Sequence, residues 1–166
     1  MKRTLFCFLA LVILVVACDA KGEVSEPEDI GPQVMQILEG LNDISEPEFS
    51  EHFITHKQLH EIADNKQLVK DDEQRRSMKS VTKTQVKVRY AFMFQRLQSA
   101  GKRYGIDWKD IKFVAFKHKE EEIKGVKFCY GELKFKHRSN SYVIETSSIF
   151  DGSSYKLTSI EGLKEL

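Results

Sequence analysis

The chain changes texture at Asp107, and that change limits the folds open to it. Before this point helix-start signals recur; after it, apolar residues alternate between short polar turns. Three stretches share one pattern: Ile44–Phe49, Ile54–Leu59 and Val81–Val86. In each, a hydroxyl residue (Ser45, Thr55, Thr82) is followed three positions later by Glu48, Gln58 or Gln85. Such a pair satisfies two helix-end amides reciprocally, while the flanking apolar residues staple the chain entry. Each stretch therefore predicts a helix start. The spacings of 10 and 27 residues are too irregular for a solenoid repeat. Upstream, Ile30, Val34, Ile37, Leu38 and Leu41 recur with helical period, and Pro32 suits a first turn. The third start opens a long helix, from about Lys83 to about Tyr104. Val86, Tyr90, Met93, Phe94, Leu97 and Tyr104 line its inner face, with Gly101 and Gly105 as terminators.

Beyond Asp107, which is placed to cap a short turn over Trp108–Asp110, four strands are expected. They are Ile111–Lys119, a run through Val126, Phe128, Tyr130, Leu133 and Phe135, then Tyr142–Phe150 and Tyr155–Ile160. The apolar phase slips at Gly131, which predicts a β-bulge there. Glu120-Glu121-Glu122, Arg138–Ser141 and Asp151-Gly152 read as turns. Strands joined by short polar turns make an antiparallel meander. Helices followed by a sheet give an α+β fold, N-terminal helices packed on a curved four-stranded antiparallel meander. This order resembles the cystatin-like and nuclear-transport-factor-like cone folds over roughly residues 30–162, which implies a curved sheet wrapped on a helix. The resemblance is architectural, and fold alone assigns no function.

The amino terminus speaks to location. Lys2 and Arg3 precede an unbroken apolar run, Leu5–Ala17. As a helix it is about 20 Å long, against about 30 Å of bilayer hydrocarbon. It is too short to span and has the layout of an export signal. Val15-Val16-Ala17-Cys18 resembles the lipobox of bacterial lipoproteins, and the chain is similar to the small lipoproteins of Gram-negative bacteria. The resemblance implies cleavage between Ala17 and Cys18, diacylation of the Cys18 thiol, and palmitate-type anchoring in the cell envelope. Two or three acyl chains hold a protein stably at a membrane. The alternative is an ordinary signal peptide cleaved near Ala20. Asp19 bears on inner against outer membrane without deciding it. The organisation expected is a signal peptide over 1–17, a polar tether over 18–29 and one domain over 30–166.

Without Met1–Ala17 the chain carries 24 basic and 25 acidic residues. That balance excludes the basic footprint of a nucleic-acid binder. Only Cys129 remains as a free thiol, in an apolar run that reads as inert core, so no internal disulfide is available.

Few residues point to chemistry. His52, His56 and His60 are spaced for a metal column, but Thr55 as a cap breaks it. No metal site and no cofactor is expected. Residues 111–138 hold eight Lys/Arg against four Glu. An anion-binding sheet face is one reading, and a half-buried sheet with lysine outside is preferred. Tyr104, Trp108 and Tyr130 are the residues placed to line a ligand pocket, although Trp108 reads first as core. The chain is thus expected to be a non-catalytic, lipid-anchored extracytoplasmic domain on the periplasmic or surface side. It would bind a small apolar ligand or a protein partner. The alternative is a small enzyme with its active site in the cone cavity.

Overall fold

The computed structural model describes residues 24–166; Met1–Ala17, expected from sequence to be a signal peptide, and Cys18 and Asp19 lie outside them. Five helices come first: α1 (Ile30–Glu39), α2 (Glu46–Ser50), α3 (His56–Asp64), α4 (Asp72–Ser80) and α5 (Lys83–Tyr104). Four strands follow: β1 (Ile111–Ile123), β2 (Val126–His137), β3 (Asn140–Phe150) and β4 (Tyr155–Glu165). They pair antiparallel in the order β1-β2-β3-β4, the α+β meander that the sequence predicts.

All three reciprocal caps form. The Ser45 amide donates to Glu48 Oε2 at 2.7 Å, the Thr55 amide to Gln58 Oε1 at 2.9 Å and the Thr82 amide to Gln85 Oε1 at 2.7 Å. Asp107 caps the turn over Trp108–Asp110, accepting from the Lys109 amide at 3.2 Å. Helix α4 is an addition. It buries only Met78, so it has no apolar stripe, and its signal is the cap alone, the Gln74 amide donating to Asp71 Oδ1 at 2.7 Å. The domain also starts earlier than residue 30. Val24 is buried, and its carbonyl accepts from the Tyr155 amide at 2.7 Å. One apolar residue with a strand edge to pair with outweighs the polar composition around it.

The bulges fall elsewhere than Gly131. The register shifts at Val114 in β1 and at Thr158 and Gly162–Leu163 in β4, whereas β2 pairs without interruption through Gly131 to both neighbours. Bulges thus occupy the two edge strands, where an unpaired residue leaves no ladder broken on its far side. What looks like a phase slip is a strand with apolar residues on both faces. Cys129, Leu133 and Phe135 point to one core, and Val126 and Phe128 to another. Gly131 instead admits a ring, since a Cβ there would lie 2.3 Å from Phe116 Cζ. The first hairpin also turns later than Glu120-Glu121-Glu122, at Lys124-Gly125, both with positive φ. That turn type suits the right-handed twist of the flanking strands, so the three glutamates stay in β1.

The larger core packs α1, α2 and α5 against the first sheet face, with α1 on β1 and β2 and α5 along β4. The smaller core places the α3–α4 pair (Ile62, Ala63, Val69, Met78) over one end of the second face at Val126 and Ile149. No helix among the described residues is long and apolar enough to cross a membrane. Trp108 is 2% exposed and fills the larger core. A Cβ at Gly101 would lie 2.6 Å from its Nε1, so helix and indole meet where only glycine fits. Gly101→Ala is expected to destabilise the domain by about 1–3 kcal/mol through overpacking, read as a lower urea midpoint with the slope unchanged.

Candidate binding groove

The α3–α4 pair covers only the end of the second sheet face. Past it the strands carry side chains that no helix overlies closely, and the α4–α5 corner stands opposite. Between them lies a groove of about 1100 Å³. Its walls are set by specific contacts. The Tyr90 hydroxyl donates to the Ile54 carbonyl at 2.8 Å, and the Ile54 amide donates to the Leu157 carbonyl of β4 at 2.8 Å. These bonds fix α5 and the start of α3 relative to the sheet. Burial holds the Tyr90 phenol well above its ordinary pKa, so it remains a donor. The corner itself is held by the Thr82 cap and by His60, whose Nε2 lies 3.1 Å from the Val81 carbonyl oxygen.

The groove is graded from apolar to polar. At its inner end Leu59, Met78, Phe128 and Ile149 continue the smaller core. Tyr130 follows, 39% exposed, its ring stacked with Phe128 at 6.1 Å between centroids. Beside it Ser147 Oγ bonds Thr158 Oγ1 at 2.6 Å and Ser159 Oγ at 2.7 Å. The bulge at Thr158 brings this third hydroxyl into line. Further out, Glu132, Glu145 and Glu161 lie directly opposite one another across β2, β3 and β4. Like charges so placed repel; Lys164 relieves one of them, 2.9 Å from Glu145. Lys117, Lys119 and Arg89 complete the rim.

Of the three pocket residues expected from sequence, the groove includes Tyr130 alone. Trp108 and Tyr104 belong to the first face, Trp108 against Phe135 and Tyr104 edge-on to Tyr142. The sequence marked aromatics at the helix–sheet junction, whereas the open face is set by where the α3–α4 pair stops. The alternation Phe128, Tyr130, Glu132 against Ser147 and Ser159 was the available signal for a second, partly apolar face.

The histidines are separated by the Thr55 cap. His56 and His60 share α3 with rings 4.0 Å apart, and His52 lies before it. Among the described residues no group of three or more metal-ligating side chains converges. Cys129 is buried, which pushes its thiol up to about 11. The lysines of residues 111–138 are mostly exposed; Lys119 and Lys124 form surface ion pairs, and Lys127 pairs with Glu120.

That pair belongs to a polar cluster on the first face, away from the groove. Lys127 Nζ lies 2.8 Å from Glu120 Oε2, and the Tyr155 hydroxyl donates to Glu120. The Lys127 hydrogen bond, then that of Tyr155, hold Glu120 below its ordinary pKa; Glu120 in turn raises Lys127. A carboxylate with a depressed folded pKa stabilises fully above its unfolded value, and this stabilisation is lost as pH falls through the folded value. Glu120→Gln is therefore expected to flatten the fall in stability below about pH 4.5, with little change in slope at neutral pH. Denaturation curves across an acid series read the difference.

The chain matches no protein-family model, and no curated protein or solved structure is significantly similar to it.

Proposed function

We propose that this chain is a lipid-anchored extracytoplasmic binding protein that holds a small, largely apolar molecule in the groove between the α4–α5 corner and the second sheet face. The observation that carries the reading is the grading of the groove. A space of about 1100 Å³ is at the upper end of small-molecule sites, which combine apolar walls with a few placed polar groups. The apolar body of the ligand lies against Met78, Phe128 and Tyr130, and its polar end meets the Ser147, Thr158 and Ser159 hydroxyls. Binding is favoured over catalysis because the groups of shifted protonation at and beside the groove are engaged by the protein itself, Lys119 by Glu121, Lys164 by Glu145 and Tyr90 by the Ile54 carbonyl. The lipobox-like Val15–Cys18 supports the anchor.

A hydrophobic fluorescent dye such as anilinonaphthalene sulfonate reports on the groove. Tyr130→Ala and Ser147→Phe, the first removing a wall and the second filling the polar end, are each expected to weaken dye binding about tenfold, or roughly 1.4 kcal/mol. Unchanged affinity in both variants, with thermal midpoints retained, refutes the site. The anchor has its own measurement. Intact mass of membrane-extracted protein is expected to show loss of residues 1–17 and gain of acyl chains. Membrane retention that survives Cys18→Ala unchanged argues against lipidation.

A further inference from the structure

The charge of this near-neutral chain is unevenly placed. Helix α5 carries six basic residues, Lys83, Lys87, Arg89, Arg96, Lys102 and Arg103, and no acidic one. Elsewhere lysines commonly have partners: Lys57 with Glu61, Lys79 with Asp64, Lys109 with Asp43, Lys124 with Glu73. Among the described residues none of Arg89, Arg96 and Arg103 makes an ion pair. These three arginines, with Phe92 and Ser99, line one wall of a cleft whose sheet wall carries Glu145 and Glu161.

The same helix exposes apolar surface on its outer side. Its inner face is Tyr90, Met93, Leu97 and Gly101. Opposite, at helical spacing, stand Val88 and Phe92, 46% and 59% exposed, then Arg96, Ser99 and Arg103. Phe92 is the more exposed of the two apolar residues, and Arg89, Arg96 and Arg103 stand beside it on the cleft side. At 22 residues the ridge is about 33 Å long. A Phe and a Val side by side in water, with arginines that make no ion pair along one side, are complementary to a surface that is apolar within and anionic above.

We propose that the outer face of α5 lies on an anionic bilayer surface, with Phe92 and Val88 entering the headgroup–acyl boundary and Arg96, Arg103 and Lys102 meeting lipid phosphates. An acidic polypeptide laid in the cleft beside α5 would meet Glu145 and Glu161 on the sheet wall, whereas a bilayer approaches from the solvent side, where Phe92 and Val88 are exposed and the charges of the helix are all positive. Basic amphipathic helices with an aromatic on the apolar side bind interfaces in this way, and the charge component is screened by salt. This contact orients the domain flat against the membrane and does not depend on how the amino terminus is held there.

The test uses the full chain carrying F92W, bound to vesicles of phosphatidylcholine alone or mixed with phosphatidylglycerol, each containing brominated lipid. Trp108 is buried in the core and supplies a constant background. The expected result is quenching of the introduced indole on the anionic vesicles, lost at high salt, and weakened about tenfold or more by adding R96Q and R103Q, which are exposed, make no ion pair and leave the fold intact. Quenching absent from vesicle-bound protein overturns the proposal. So does quenching equal on both lipid compositions and indifferent to R96Q/R103Q, which assigns the contact to the amino-terminal segment alone. A spectral shift with polyglutamate and none with anionic lipid overturns it in favour of an acidic protein partner.

Discussion

The backbone of one residue, Ile54, bonds both the sheet and the longest helix. Ile54 donates its amide to the Leu157 carbonyl and accepts from the buried Tyr90 hydroxyl at its own carbonyl. Its side chain belongs to the smaller core, while Phe53 beside it and Tyr90 belong to the larger one, their rings stacked at 4.8 Å. Both bonds are shielded from water, so losing either leaves a buried polar group unmatched, at a cost of about 1–3 kcal/mol. The pairing also closes the outer edge of β4 at this point, as Val24 does at Tyr155. An edge strand left open invites pairing with other chains. Here the edge is met by the protein's own backbone, which at the same time sets how far the α4–α5 corner stands from the sheet.

The groove follows from that placement. The α3–α4 pair is short, with Met78 the only residue α4 buries, and so it covers Val126 and Ile149 and leaves Tyr130 and Ser147 beyond its reach. The sheet therefore has two kinds of second face: a capped apolar end and an open end that grows more polar outward. The cross-strand row of Glu132, Glu145 and Glu161 fits an open end, because such a row is tolerable only where water reaches it.

How much of this was legible varies with the range of the interaction. Capping boxes are local: Ser45–Glu48, Thr55–Gln58 and Thr82–Gln85 can be read from a few residues and appear as expected. The turn at Asp151 is of the same kind, its carboxylate accepting from the Ser153 and Ser154 amides at 2.9 Å each. Gly131 misled for the opposite reason. Its neighbours on β2 alternate between two cores, and nothing local tells a two-sided strand from a bulged one. The need for glycine comes from Phe116, fifteen residues away in sequence and lying across the strand. The groove is less legible still, since it is defined by the place where a helix ends, and α4 announces itself only through Asp71.

The two proposed surfaces share one helix and are kept apart by its period. On α5, Val86 and Arg89 look toward the groove, Tyr90, Met93 and Leu97 into the core, and Val88 and Phe92 outward, with Arg96 and Arg103 along the cleft beside β4. A helix packed on a sheet ordinarily presents polar residues of both signs to water. Here the outward face has cations only and an aromatic crest, although seven acidic residues, Asp64 to Glu73 among them, lie within the preceding helices and were available to balance it. If the crest rests on a bilayer, the groove on the adjoining side of the same helix opens along the membrane plane rather than away from it. An apolar ligand then passes between lipid and groove without crossing bulk water, and the polar row at Glu132, Glu145 and Glu161 marks the side that remains wet.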